Sequence, residues 1–277
     1  KLLGGGDVPA DVTLGAETDT DVIVRPKQSL RFWGSYAVVV GHDMRPSSPG
    51  FSRAFAEGVT AHGVDVVLIG LCSTDGLYFA SGTLDLPGAM FTASHNPAAY
   101  NGIKMCRAGA APVGQDSGLA DISAMLVEGV PEYVGPVGHI SEREMLTDYA
   151  DYLLSLVPPL GRPLRVVVDA GNGMAGLTAP VVLGKLPVTV EEMYFELDGS
   201  FPNHEANPID PANLVDLQAA VRAGDADLGL AFDGDADRCF VVDERGELVN
   251  PSTLTALIAT QELARVPGAP VIHNLIT

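Results

Sequence analysis

The chain has 277 residues, 47% of them hydrophobic and 18% charged, enough apolar material to offset the entropy of ordering, which excludes a disordered protein. Lysine and arginine total 16 against 35 aspartates and glutamates, a formal charge of −19. That balance argues against a nucleic-acid partner and leaves anionic substrates only where local cations or a metal reverse the field.

Residues 1–34 show no convincing period. They also lack an initiator methionine and a signal-peptide pattern, so the chain is expected to be a fragment. Order begins at the β-branched run 36–41, a buried strand from Tyr36 onward. Ser48-Pro49 supplies an N-cap and a first-turn proline. Phe51, Phe55 and Val59 then repeat every four residues, and Gly63 ends the helix. A second buried strand, 64–70, completes a βαβ unit and implies a parallel sheet. Strands are expected at 87–93 and 102–106 and a helix at 116–127. Ser141 and Glu144 have capping-box spacing and open a helix through Met145, Tyr149 and Leu153.

Pro158, Pro159, Gly161 and Pro163 mark a linker. Beyond it, strands at 164–168, 188–193, 227–232 and 239–242 enclose a helix over 212–223 that starts at Pro211. A third unit begins with a helix from Pro251 to Leu263 and a strand near Val271. The expected fold class is two successive α/β domains with mixed, mostly parallel sheets, plus the start of a third. The expected boundaries are a dissimilar stretch at 1–34, domains at 35–157 and 164–250, and a third domain starting at 251–277. Cys72, Cys106 and Cys239 form no CxxC pair, which fits a reducing, cytoplasmic setting. No apolar run approaches the roughly 18 residues of a membrane helix, so no membrane partner is expected.

Three motifs carry chemistry. In FTASHNPAAYNGIK (91–104) a strand ends in Thr92-Ala-Ser94, followed by a turn of His95, Asn96 and Pro97. Such a turn presents the Ser94 hydroxyl into a cleft or, equally, satisfies backbone groups. In AFDGDADRCF (231–240), Asp233, Asp235 and Asp237 alternate across a loop between two strands, as oxygen ligands of a hard cation do. An EF-hand is excluded, because Arg238 stands where that loop needs glycine and strands flank the loop. The third motif, Gly171-Asn-Gly173-Met-Ala-Gly176, spells GxGxxG after a strand, with Glu191 where a ribose-binding acid would sit. It reads either as a nicotinamide-dependent oxidoreductase or as a tight structural turn. Arg45, in GHDMRPSS, follows a buried strand and either points at a phosphate or makes a surface ion pair. Lys104 leaves the Ser94 turn. His42, His62, His139, His204 and His273 have no ligand spacing and are assigned no role.

GHDMRPSS, TASHNP with NGIK, DAGNGMAG and DGDADR, in this order, resemble the phosphohexomutase superfamily, and within it bacterial phosphomannomutase/phosphoglucomutase. The resemblance covers about 38–277 and implies an isomerase that exchanges hexose 1-phosphate and hexose 6-phosphate through a bisphosphate. It makes Ser94 the phosphoserine and Asp233, Asp235 and Asp237 the Mg²⁺ ligands, with a phosphoserine oxygen completing the set. It places Arg238 beside the metal loop as a substrate or phosphate contact, together with Asn96. Arg45, Lys104 and His95 fall near the nucleophile, with the role of His95 left open. GxGxxG then becomes a structural turn opening the second domain. The family's Tyr-Asp-hydrophobic-Arg-Gly segment, third-domain sugar loop and fourth domain are missing, so full turnover by this chain is not expected. A catalytically silent metal- or phosphate-binding module is the remaining alternative.

Overall fold

The computed structural model describes residues 12–15, 23–26, 37–130 and 132–271. Tyr36, the rest of 1–34 and all but Val271 of the expected last strand lie outside the described residues. Within the first stretch, β1 (Val12–Gly15) and β2 (Ile23–Pro26) pair antiparallel. Four-residue strands are too short to show in a count of periodicity.

The first large sheet contains β3 (Ala37–His42), β4 (Asp65–Leu71), β5 (Gly88–Phe91), β6 (Ile103–Arg107), β7 (Ala111–Pro112) and β8 (Ile140–Glu142), in the order β7-β6-β5-β3-β4-β8. β5, β3, β4 and β8 run parallel, and β6 and β7 turn back antiparallel. Alternation along β3 explains why the sheet is covered on both faces. Val38 and Val40 pack against Ala56 and Val59 of α1 (Ser48–Ala61), and Val39 packs against Leu77 and Ala80 of α2 (Thr74–Leu84). The expected Phe51-Phe55-Val59 stripe of α1 is corrected: Phe51 is 53% exposed, and Ser48, Ser52, Ala56, Val59 and Thr60 are buried. Small residues let the helix lie close to the strands, which rotates its buried face by one position. α2 was not expected from the sequence, because its glycines and small residues blur the apolar period. α3 (Leu119–Glu128) follows β7.

The second sheet contains β9 (Leu164–Asp169), β10 (Val188–Met193), β11 (Leu228–Phe232) and β12 (Cys239–Val242) in the order β10-β9-β11-β12, the last strand antiparallel. Val167 and Ala231 pack on Leu217 and Val221 of α6 (Val215–Ala223), while Val168 faces Ala179 of α5 (Ala175–Leu183). The chain therefore forms two α/β units with mixed, mostly parallel sheets. α4 (Leu146–Leu156) lies between them, against α2 and α5. α7 (Pro251–Arg265) follows, with no buried residue. No helix among the described residues is long and apolar enough to cross a membrane.

The capping box at Ser141 is also corrected. Ser141 belongs to β8, where it pairs with Val67, and the Glu144 carboxylate alone accepts the N–H groups of Leu146 and Thr147. Glu144→Ala should therefore cost about 1 kcal/mol of stability in urea denaturation, whereas Ser141→Ala should cost less than about 0.5 kcal/mol. The reverse order would restore the capping box.

Candidate active site

The carboxyl ends of β3, β4 and β5 face those of β9 and β11, the usual position for ligands in parallel α/β sheets. β5 runs out at Phe91 into the Ser94 turn. Ser94 adopts φ +52°, a left-handed conformation that costs a non-glycine residue about 1–3 kcal/mol. Its N–H donates to the buried Thr92 hydroxyl at 2.9 Å, and its carbonyl accepts from Arg45 at 2.9 Å.

Arg45 is fully buried, and all five of its N–H groups are engaged. Nε donates to Asp43, Nη1 to the carbonyls of Pro97 and Tyr100, and Nη2 to those of Ser94 and Asn96. Neither sequence expectation for Arg45 holds, because a guanidinium with five partners has no donor left for a phosphate and lies nowhere near the surface. It clamps the turn from behind. Asn96, expected to contact phosphate, builds the same turn: its backbone and side-chain N–H groups both donate to the Ala93 carbonyl.

β11 ends at Phe232 and turns into β12 through the aspartate loop. One oxygen from each of Asp233, Asp235 and Asp237 lies within 4.8 Å of the others, and Asp233 and Asp235 are fully buried. Two cations face them. Lys104 Nζ reaches across from β6 to Asp235 and Asp237, 2.6 Å from each, and the Arg238 guanidinium lies 2.6 Å from Asp233. The Ser94 hydroxyl donates to Asp233 at 2.9 Å across 139 residues of sequence and accepts from Arg238 at 2.7 Å. His95 Nδ1 accepts from Arg238 and lies 3.5 Å from the Ser94 oxygen. Ser94, His95, Lys104, Arg238 and the three aspartates thus converge, with Arg45 and Asn96 behind them.

Electrostatics follow from three carboxylates sharing two cations. Burial and then the Asp235 charge push Asp233 up to about 6. Burial acts the same way on Asp235, but the Lys104 charge and hydrogen bond outweigh it and hold its carboxyl below the usual range. Burial disfavours the Lys104 ammonium, yet Asp235 and Asp237 raise its pKa. Burial and the Arg238 charge lower that of His95, which favours a neutral ring. One polar atom is left over: Asp235 Oδ1 is buried without a hydrogen-bond partner. An orphaned carboxylate oxygen inside a cluster of three acids fits a hard divalent cation, which takes oxygen ligands.

Sequence reading missed Thr74 and Asp75 at the head of α2. The Thr74 hydroxyl donates to Asp235 at 2.5 Å, and its N–H donates to the Asp235 carbonyl at 3.1 Å. Asp75 is pushed up to about 6 by burial and by Asp237 and Asp235. The available signal was Ser73, an N-cap whose side chain accepts the Gly76 N–H at 3.0 Å.

Comparison with known proteins agrees with this geometry. Residues 27–127 match the family model for phosphoglucomutase/phosphomannomutase alpha/beta/alpha domain I, and residues 147–246 match that for domain II. The chain belongs to the phosphoglucomutase/phosphomannomutase family. It is 35% identical to a phosphomannomutase of Vibrio cholerae, covering 94% of this chain and 59% of that protein. It is 37% identical to a phosphoglucomutase of Neisseria gonorrhoeae, covering 87% and 52%. A solved phosphoglucomutase/phosphomannomutase family protein from Burkholderia thailandensis superposes with a TM-score of 0.78 at 37% identity, over 87% of this chain and 53% of that one. The chain spans a little over half the length of these relatives.

Membership in the phosphoglucomutase/phosphomannomutase family agrees with the environment of GxGxxG. A Cβ on Gly173 would come within 2.7 Å of the Gly234 carbonyl, and the Met174 N–H donates to that same oxygen at 2.9 Å. The turn cradles the aspartate loop where a dinucleotide-binding turn would cradle a pyrophosphate, and Glu191 stands exposed on edge strand β10. The oxidoreductase reading is set aside.

The Arg45 clamp makes a stability prediction. Arg45→Met leaves Asp43 buried without its cation and strips the guanidinium from four carbonyls, of which only that of Pro97 keeps another donor, the Tyr100 N–H, and should cost about 3–5 kcal/mol in urea denaturation. Arg45→Lys should also be strongly destabilising, because three donors without a planar fork cannot replace five. A loss below about 1 kcal/mol for both variants would mean that the guanidinium is not the clamp described.

Proposed function

We propose that this chain forms the phosphoryl-transfer half of a phosphohexomutase that interconverts hexose 1-phosphate and hexose 6-phosphate of mannose, glucose or both. Ser94 is the phosphoserine, and Asp233, Asp235 and Asp237 are the ligands of Mg²⁺. The observation that carries this reading is the Ser94 hydroxyl on Asp233 at 2.9 Å, with Arg238 donating to the same oxygen at 2.7 Å.

The chemistry is a proton-neutral exchange. A sugar hydroxyl bonds to phosphorus as the bond between phosphorus and the Ser94 oxygen breaks. The proton lost by the sugar equals the one Ser94 carries afterwards. The bisphosphate so formed returns its other phosphoryl group to Ser94 by the reverse step. Phosphoryl transfer is mostly positioning and charge neutralisation. Arg238 holds the serine oxygen that must leave. Lys104 keeps Asp235 ionised and pairs with Asp237. The Arg45 clamp and the Thr92 hydroxyl fix the direction in which Ser94 points. When bound by the three aspartates, Mg²⁺ supplies Lewis-acid polarisation of a phosphoryl oxygen.

Incubation with phosphorus-labelled glucose or mannose 1,6-bisphosphate and Mg²⁺ should label Ser94, and Ser94→Ala should abolish labelling without changing the circular dichroism or the melting curve. Label surviving in Ser94→Ala would remove Ser94 as nucleophile. A parent chain that never labels would favour the silent binding module. Asp235→Asn should weaken Mg²⁺ binding at least about tenfold by calorimetry, since it removes a charged oxygen ligand. Unchanged affinity would remove Asp235 from the ligand set.

A further inference from the structure

The loop 198–206, between β10 and the turn Pro211–Leu214, is wedged between the two halves of the site. On one side Gly199 lies so near Arg45 that a Cβ there would meet the Arg45 Cα at 2.6 Å. The Phe201 ring, held at φ +53°, packs 5.1 Å from the centre of the Arg45 guanidinium, within cation–π range. On the other side the loop is tied to the end of β9. Asn203 donates to the side chain of Asn172 at 2.8 Å, and His204 Nε2 lies 3.0 Å from the buried Asp169 carboxylate. That carboxylate is itself fixed by the Gly171 N–H at 2.9 Å. His204 Nδ1 faces the Glu205 carbonyl at 2.9 Å. With an acceptor on each nitrogen, the ring is suited to donate twice.

We propose that His204 is a positioning residue: it pins loop 198–206 to Asp169, and through Gly199 and Phe201 that loop holds the Arg45 clamp, and so the Ser94 turn, in register with the aspartates. This rests on Ser94 being the reacting residue, but its test needs no turnover. The groups around the ring are Asp169 from β9, Tyr194 after β10 with its ring edge-on at 5.3 Å, Asp216 of α6 bonded to the Tyr194 hydroxyl, and Glu205. The bond to Asp169 is the largest influence on His204 and raises its pKa despite burial. The charge-assisted part of the pinning is therefore complete below about 6.5, the unperturbed value, and is lost as the pH rises through the higher folded value, where a neutral ring keeps one N–H for Asp169.

Hydrogen exchange of the full chain tests this at residues 92–104, with β11 as the control. His204→Ala and Phe201→Ala should each speed exchange at 92–104 about tenfold while β11 stays protected. The double variant should be no faster than the faster single one, because both act through one loop. His204→Gln keeps a donor for Asp169 but does not titrate. After correction for intrinsic rates it should lose the rise in exchange that the parent shows with pH. Unchanged exchange at 92–104 in both alanine variants, or additive effects in the double variant, would overturn the proposal. If His204→Ala also unprotects β11, the glutamine variant decides, and a pH dependence identical to the parent's would overturn it.

Discussion

Three carboxylates within 4.8 Å of one another at the rim of a sheet are a constraint that the surrounding structure has to satisfy. Two like charges about 4 Å apart repel by about 4 kcal/mol at an effective dielectric of about 20. Lys104 and Arg238 answer that repulsion from opposite sides, one from β6 of the first sheet and one from the loop of the second. Because the Lys104 ammonium, the Thr74 hydroxyl and the Ser94 hydroxyl all come from the first unit, the acidic loop of the second unit is also the seam between the two. The serine that would carry the phosphate is held by the same contacts that make the acidic cluster tolerable.

The Asp43–Arg45 pair changes the charge balance at this seam. Arg45 is buried against Asp43 at 3.1 Å, so its charge is offset locally and it does not neutralise the acidic cluster. Lys104 and Arg238 are left against three aspartates, one positive charge short. Burial and, after it, that deficit raise the pKa of Asp233, and the deficit agrees with the orphaned oxygen of Asp235. A phosphoserine would add about −1.5 to −2 more charge, which the proposed divalent ion would offset. Arg45 contributes geometry instead, holding four carbonyls in the one arrangement that points Ser94 at Asp233.

Much of this was legible in the sequence because the relevant elements are short, β-branched and punctuated. β3, β9 and β12 stand out as apolar runs, and the aspartates and Ser94 stand at strand ends where loops carry chemistry. Side-chain role was harder to read than position. GHDMRPSS shows one partner of Arg45, Asp43, but not that Arg45 turns inward, because its other four partners are backbone carbonyls some fifty residues away. α2 is hard to read for a related reason: apart from Leu77 its buried face is built of small residues and glycine, which leaves no apolar period to place Thr74 and Asp75 at the site. His204 shows no ligand spacing because its partner, Asp169, is 35 residues upstream. GxGxxG fits the spacing of a dinucleotide motif, and only the packing of Gly173 on Gly234 reveals what fills the turn.

On the proposed reading one cation site joins the two units, with the three aspartates on one side and Ser94 on the other. Anomalous diffraction from crystals grown with Mn²⁺ in place of Mg²⁺ would locate that ion. The expected result is a single strong peak bonded to Asp233, Asp235 and Asp237 and adjacent to the Ser94 oxygen, with the Lys104 ammonium withdrawn from at least one of its two carboxylates. An acidic loop without a peak at millimolar Mn²⁺, with both Lys104 ion pairs intact, would contradict it.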